Sequence, residues 1–276
     1  MKKTIIYILL VVSVALYAEE TNDTNIKMEE NQLSFQEAKM KHERDNPAFM
    51  QKGGMMRVGE HAFYLRTNDE WTGFSTFFVG YRYGVNEYFN IGVEGGVSAV
   101  PHVYLGALIL NFKIFESKNK FFFVGLRTRF GYKYQDSDFS GGFWPAIVGD
   151  NYLTLKRNGI YFAPDLTAAF RFGSKYRRHA IYYSIYPRFD IDFVDKYNPV
   201  YFLFSPIMLG YEVRFPKKNF RWSFAIEGGY TFPIPWNGVP AGKWVNFPSL
   251  ANISFNYRFG DKFYSKENLK KYEGIQ

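Results

Sequence analysis

The sequence predicts an all-β protein, an antiparallel transmembrane β-barrel of about ten strands preceded by a short polar segment. Three observations lead there. Across residues 57–259, apolar and polar residues alternate over stretches of 11–16 residues. Alternation with period two makes a strand with one apolar and one polar face. The lengths suit tilted membrane strands of about 9–11 residues, not the roughly 5–6 usual in soluble proteins. Second, the chain carries 30 Phe and 22 Tyr at a mean hydropathy of −0.26, with no apolar run after residue 18 long enough for a membrane helix. A wall with an apolar outside and a polar inside uses many rings without looking hydrophobic on average. Third, short turns alternate with connections that include two long loops.

The elements follow in order. Lys2 and Lys3, the apolar run 5–15 and the small residues Ala15 and Ala18 read as a secretory signal peptide over 1–18. Residues 19–54 are polar, with Glu19, Glu20, Asp23, Glu29 and Glu30 near their start, and are expected in the periplasm. Ser34 followed by Glu37 fits a capping box, so a short helix is expected from 35 to about 44, stopped before Pro47. Gly53 and Gly54 are read as a hinge into the barrel, which is assigned to 55–259, with a periplasmic tail at 260–276.

Ten strands are expected, at 57–67, 73–85, 89–100, 104–114, 121–134, 159–172, 179–194, 200–215, 220–232 and 247–259. The first is the least regular, because Glu60, His61 and Arg66 interrupt its alternation. The links at 86–88, 115–120, 173–178 and 216–219 are short or basic and fall on the side of the termini; 135–158 is the longest link on the other side. Trp71, Trp144, Trp236 and Trp244 mark the far rim, and Phe89, Phe215, Trp222, Tyr257 and Phe259 the near one. Pro164, Pro187 and Pro206 each remove a ladder donor, so a bulge or kink is expected where they meet.

These patterns resemble the small bacterial outer-membrane β-barrel superfamily over roughly 57–259. The last strand carries Phe255, Tyr257 and Phe259 in alternation, similar to the assembly signal of that class, although the tail at 260–276 departs from it. The resemblance implies an outer membrane of the Gram-negative type, surface-exposed loops, and lipid and the outer-membrane assembly machinery as partners. A hairpin form occurs twice: Gly80-Tyr81 leads to Glu94-Gly95-Gly96, and Gly210-Tyr211 to Glu227-Gly228-Gly229.

The net charge of +8 falls to +6 once Lys2 and Lys3 are removed (8 − 2). Export and the scatter of the basic residues along strands make nucleic acid an unsuitable partner. The chain has no Cys and four His, so it can form no disulfide and is not a lipoprotein. It shows no phosphate loop and no metal-ligand cluster, and no cofactor, metal or catalytic residue is assigned. The one enzyme reading is a rim hydrolase, in which Asp190 and Asp192 would activate water with His102; Arg188, on the same face, makes a structural ion pair the stronger reading.

By parity, Arg82, Glu94, Arg127, Arg129, Asp165, Arg188 and Glu227 point into the lumen. Glu94 is expected beside Arg82, and Asp165 beside Arg188. Arg171, Arg214, Arg221 and Arg258, together with Arg82, are expected to point inward at the mouth nearest the termini, with Glu212 as their acidic neighbour. The preferred function is a structural or surface-interaction wall protein with a largely filled polar lumen, since side chains fill the interior of a barrel this small. A narrow anion-preferring pore, partly blocked by the acidic N-terminal segment, is the alternative.

Overall fold

The computed structural model describes residues 34–68, 76–99, 102–136, 157–173, 176–194, 200–216, 219–235 and 248–270. A helix, α1 (Phe35–Asp45), precedes ten strands: β1 (His61–Asn68), β2 (Thr76–Gly84), β3 (Phe89–Ala99), β4 (His102–Glu116), β5 (Phe122–Asp136), β6 (Arg157–Phe172), β7 (His179–Asp192), β8 (Val200–Arg214), β9 (Trp222–Pro235) and β10 (Pro248–Phe259). A 3₁₀ turn (Lys262–Tyr264) and a short helix, α2 (Lys266–Lys270), follow. Every strand pairs antiparallel with its sequence neighbours, and β10 returns to pair with β1, so the sheet closes. Closure removes the unpaired edges that lipid cannot hydrate.

The wall is inverted relative to a soluble protein. Val93, Phe63 and Leu209 are more than half or about half exposed on the outside, while Arg129, Arg171, Arg188 and Arg258 are almost completely buried on the inside. Along β7 burial alternates residue by residue, which is the period-two pattern of the sequence made physical. Rings belt the end where β1 begins and β10 finishes: Trp222 packs on Tyr257 at 4.7 Å, and Phe259 stacks on His61 at 5.0 Å.

Strand β1 begins at His61 rather than at 57. Residues 57–60 form a turn closed by the Glu60 N–H donating to the Arg57 carbonyl at 3.1 Å, with Gly59 at φ +73°. Glu60 and Arg66 do not interrupt the alternation. Both are buried on the lumen side with Ala62 and Tyr64, so the charges that blur the pattern in sequence are inward charges. The three prolines meet as expected. Pro164 and Pro187 lie opposite each other in the gap between the pairs Phe162–Phe189 and Leu166–Ile185. Register shifts fall beside them at 184–186 and at 204–207, the latter holding Pro206. Missing donors are thus gathered into one interrupted patch of wall.

The twin hairpin form also has a physical reason. Tyr64 lies flat across Gly80, where a Cβ would sit 2.0 Å from the ring; Tyr182 lies likewise across Gly210, at 2.1 Å. Glycine clears the path for an inward ring to reach across the next strand, and Tyr64 thereby donates its hydroxyl to Glu94 at 2.8 Å. The 135–158 loop, the far tryptophans and the acidic residues 19–30 lie outside the described residues, apart from the strand ends at 135–136 and 157–158.

Candidate functional site: a plugged lumen

The residues before β1 enter the barrel. From Ala48 to Met56 every residue but Gln51 is buried, and Gln51 is partly so. The segment runs inward, turns and runs back. Phe49 N–H donates to the Met55 carbonyl at 3.1 Å, and Gly54 N–H to the Gln51 carbonyl at 2.8 Å, closing a tight turn with Lys52 at φ +48°. Apolar side chains seat its two arms. Phe49 and Met55 cluster with Phe123, Ala169, Ala180 and Tyr182, and Met50 and Met56 cluster with Ala62. Gly53 and Gly54 are therefore the tip of an inserted loop, not a hinge. At Gly53 a Cβ would fall 2.7 Å from the Gly125 backbone, so the loop tip and β5 approach to a distance only glycine allows.

Polar groups of the wall hold the inserted backbone. Glu212 accepts the N–H groups of Met50 at 3.0 Å and Gln51 at 3.3 Å; Arg82 donates to the Met50 carbonyl at 2.6 Å. Thr167 accepts Gly53 N–H at 3.3 Å, and Asn111 donates to the Gly54 carbonyl at 3.4 Å. Gln51 donates to Ser254 at 2.6 Å. At the tip, Lys52 Nζ lies 2.8 Å from Glu227 and 3.6 Å from Asp165, and 5.1 Å from the Tyr186 ring centre. An inserted backbone needs such partners, because unpaired buried N–H and C=O groups are costly.

A clasp at the mouth ties α1 to the barrel. Glu43 accepts from Arg57 at 2.7 Å, from Arg214 at 2.7 Å and from the Tyr264 hydroxyl at 2.7 Å. Arg57 reaches Asp261 at 2.5 Å, and His42 lies 2.9 Å from the same carboxylate. Burial alone would raise the Glu43 carboxyl; Arg57 and Arg214 outweigh it and hold it down at about 2. Asp261 is depressed as well, with burial opposed by His42 and Arg57. His42, Glu43 and Asp261 cluster closely enough for a cation, and the Arg57 guanidinium already bridges the two carboxylates.

The structure brings most of the sequence-derived lumen residues together, but with different partners. Glu94 pairs with Arg66 at 3.0 Å and Arg129 at 3.2 Å, not with Arg82, which lies nearer the mouth and serves Met50. Asp165 pairs with Arg127 at 2.8 Å, not with Arg188, which donates to Asp190 at 2.9 Å. Asp192 accepts the backbone N–H of Val194 at 2.9 Å, and the side chain of His102 is outside the described residues. Of the mouth arginines, Arg82, Arg171, Arg214 and Arg258 are buried and inward. Arg221 is not; it precedes β9 and lines a groove on the rim with Glu60, Asn219 and Tyr264. The mouth is also less positive than its arginines suggest. Glu43 serves Arg214, Glu116 serves Arg171 at 2.6 Å, and Glu60 lies 3.5 Å from Arg258. In the last strand, Phe255 faces outward and Tyr257 and Phe259 stack in the outer belt, with Phe255 opposite Leu65 in the closing seam.

A closed antiparallel sheet of ten strands, apolar and belted outside and charged inside, defines an integral β-barrel of the bacterial outer membrane. Solved structures similar to it include OccAB1 of Acinetobacter baumannii (9% identity, TM-score 0.29, covering 67% of this chain and 57% of that one). The NanC porin is similar at 9% identity and TM-score 0.30, over 72% of this chain and 97% of that one. OmpT of Vibrio cholerae is similar at 10% identity and TM-score 0.21, over 77% and 100%. The chain spans 57% of the length of OccAB1 and 66% of that of OccD1. No protein-family model matches the chain, and no curated protein does.

Proposed function

We propose that this is a wall protein of the outer membrane whose lumen is stoppered from the periplasmic side by its own residues 46–56. The observation that carries the reading is the seat of that loop. Its backbone is held by Glu212, Arg82 and Thr167, and its tip by Glu227. A loop anchored at this many points is a resident part of the core, and the lumen behind it is crossed by the Glu94–Arg66–Arg129 ion pairs. The work of such a protein lies in its wall and in the loops of the opposite end.

The ion pairs weigh against the two other readings. An anion-preferring mouth would need arginines open to a solute, whereas Arg171, Arg214 and Arg258 each have a carboxylate partner and Arg82 is taken up by the Met50 carbonyl of the inserted loop. A rim hydrolase would need Asp190 open to water, whereas it is buried and its Oδ1 accepts from Arg188. Planar-bilayer recordings test the proposal. The full chain should give no steady conductance steps, and a variant lacking residues 35–56 should give them. Equal conductance from both would overturn it.

A further inference from the structure

The seat of Lys52 has the makings of a ligand site. Glu227 is buried, 3% exposed, in the lumen wall. Among the described residues its one cationic partner is Lys52, at 2.8 Å; its other contacts are the Asn252 amide at 3.4 Å and the Tyr182 hydroxyl. Its second oxygen, Oε2, is buried. The neighbouring acids are already matched. Asp165 has Arg127, and Glu94 has Arg66 and Arg129. With Lys52 taken away, these three acids still face three arginines in number, but the arginines sit on Glu94 and Asp165, and Glu227 is left without a cation in contact. A buried carboxylate without a counter-charge is strongly unfavourable.

The shape of the seat selects the cation. Lys52 Nζ has Glu227 on one side, Asp165 at 3.6 Å on another, and the Tyr186 ring centre at 5.1 Å. Two carboxylates ask for N–H donors pointing in different directions, which a primary ammonium supplies with three. The ring favours a cation with a weakly hydrated organic surface. Lys52 meets these demands from a loop whose own backbone is fixed elsewhere, by Glu212, Arg82 and Thr167.

We infer that the Glu227–Asp165–Tyr186 seat is a binding site for a small primary alkylammonium cation, with Lys52 as its resident occupant. The inference deepens the stopper reading: the solute able to compete with the loop tip is an amine, not an anion. It makes Lys52 an internal substitute for such a solute. The side chain can be exchanged for a free amine because the ammonium, not the loop backbone, fills the electrostatic vacancy.

The experiment is chemical rescue on the full chain in lipid nanodiscs. Lys52→Ala is titrated with n-butylammonium at constant ionic strength, and thermal unfolding is followed. A saturable rise in midpoint of about 5–10 °C is expected at hundredfold saturation, with no rise in the wild type. Tetramethylammonium, which has no N–H, and butyrate should not reproduce it. The double variant Lys52→Ala/Glu227→Gln should be indifferent to the amine. Should Lys52→Ala fail to fold, amine present during refolding should restore the folded, heat-modifiable species, whereas the double variant should fold without it. No response of Lys52→Ala to the amine, or an equal response of the double variant or to tetramethylammonium, would overturn the inference. Conductance of the wild-type chain is read separately. If it conducts while the amine still stabilises Lys52→Ala, the stopper reading falls and the binding site stands.

Discussion

Val93 and Glu94 are adjacent in β3 and live in opposite solvents. Val93 is 55% exposed on the outer wall, and Glu94 is 5% exposed inside, between Arg66, Arg129 and Tyr64. The outer wall asks only that a side chain be apolar. Its neighbours are lipid and other apolar groups, and many residues would serve equally. The lumen asks for a particular partner at a particular height. A substitution outside changes a transfer free energy, whereas one inside leaves another charge stranded.

The comparison breaks most sharply at these two positions. Glu94→Ala strands two buried guanidiniums and should lower stability by about 3–5 kcal/mol, measured by denaturant unfolding in micelles. A cost below about 1 kcal/mol would show that water, not Glu94, satisfies the arginines. Val93→Arg should cost about 2–4 kcal/mol if it sits near the bilayer centre, and should leave the lumen pairs intact. Gly53→Val comes next. Its side chain collides with the Gly125 backbone, and overpacking of this kind costs about 1–3 kcal/mol. The barrel should still form, but protease added from the terminal side should now cut near residue 50; protection equal to wild type would remove the argument for close backbone contact. Phe259→Asp lies at the wall's rim, where the penalty falls to about 1 kcal/mol or less. Its effect should appear in assembly, as less heat-modifiable protein in the membrane, because Phe259 belongs to the closing seam with His61.

The smallest effect over ordinary conditions concerns pH. Glu43 is lowered from the usual 4.5 to about 2 in the fold. A depressed carboxyl contributes stability that is present above its unfolded value and is lost as pH falls toward the folded one. The clasp should therefore hold unchanged from pH 7 to 5 and loosen between about 4.5 and 2. Cleavage of α1 by an acid-tolerant protease measures it. Release already at pH 6 would show that Glu43 does not carry the clasp.

The same contrast decides what can be read from sequence. The outer wall has one rule, alternation, and alternation is visible; hence ten strands, the seam of β10 on β1 and the cluster of three prolines were all expected. Inward direction follows from the same parity, which holds for Arg82, Glu94, Arg127 and Glu227. Partnership does not. Register counts across a turn find neighbours in the ladder, such as Glu94 and Arg82, whereas Glu94 meets Arg129 from β5, over the intervening strand β4. Such contacts depend on how the sheet curls shut, which no local pattern records. The stopper left one trace: Phe49, Met50, Met55 and Met56 flank Gly-Gly in a stretch otherwise polar. An apolar quartet in a segment assigned to water wants burial, and the barrel is the nearest place to find it.

The stopper's anchors also set an order of events. Residues 50–53 touch Glu212 on β8, Thr167 on β6, Glu227 on β9 and Ser254 on β10, at separations of 162, 114 and 203 residues for the first, second and last. Ribosome and export deliver these residues early, yet their binding places exist only after nearly the whole wall has been laid down and rolled. Contacts so distant in sequence form late, since the intervening chain must be ordered first. The loop that arrives among the first parts is thus among the last to settle, and a seated Lys52 reports that the strands bearing its partners are already in place.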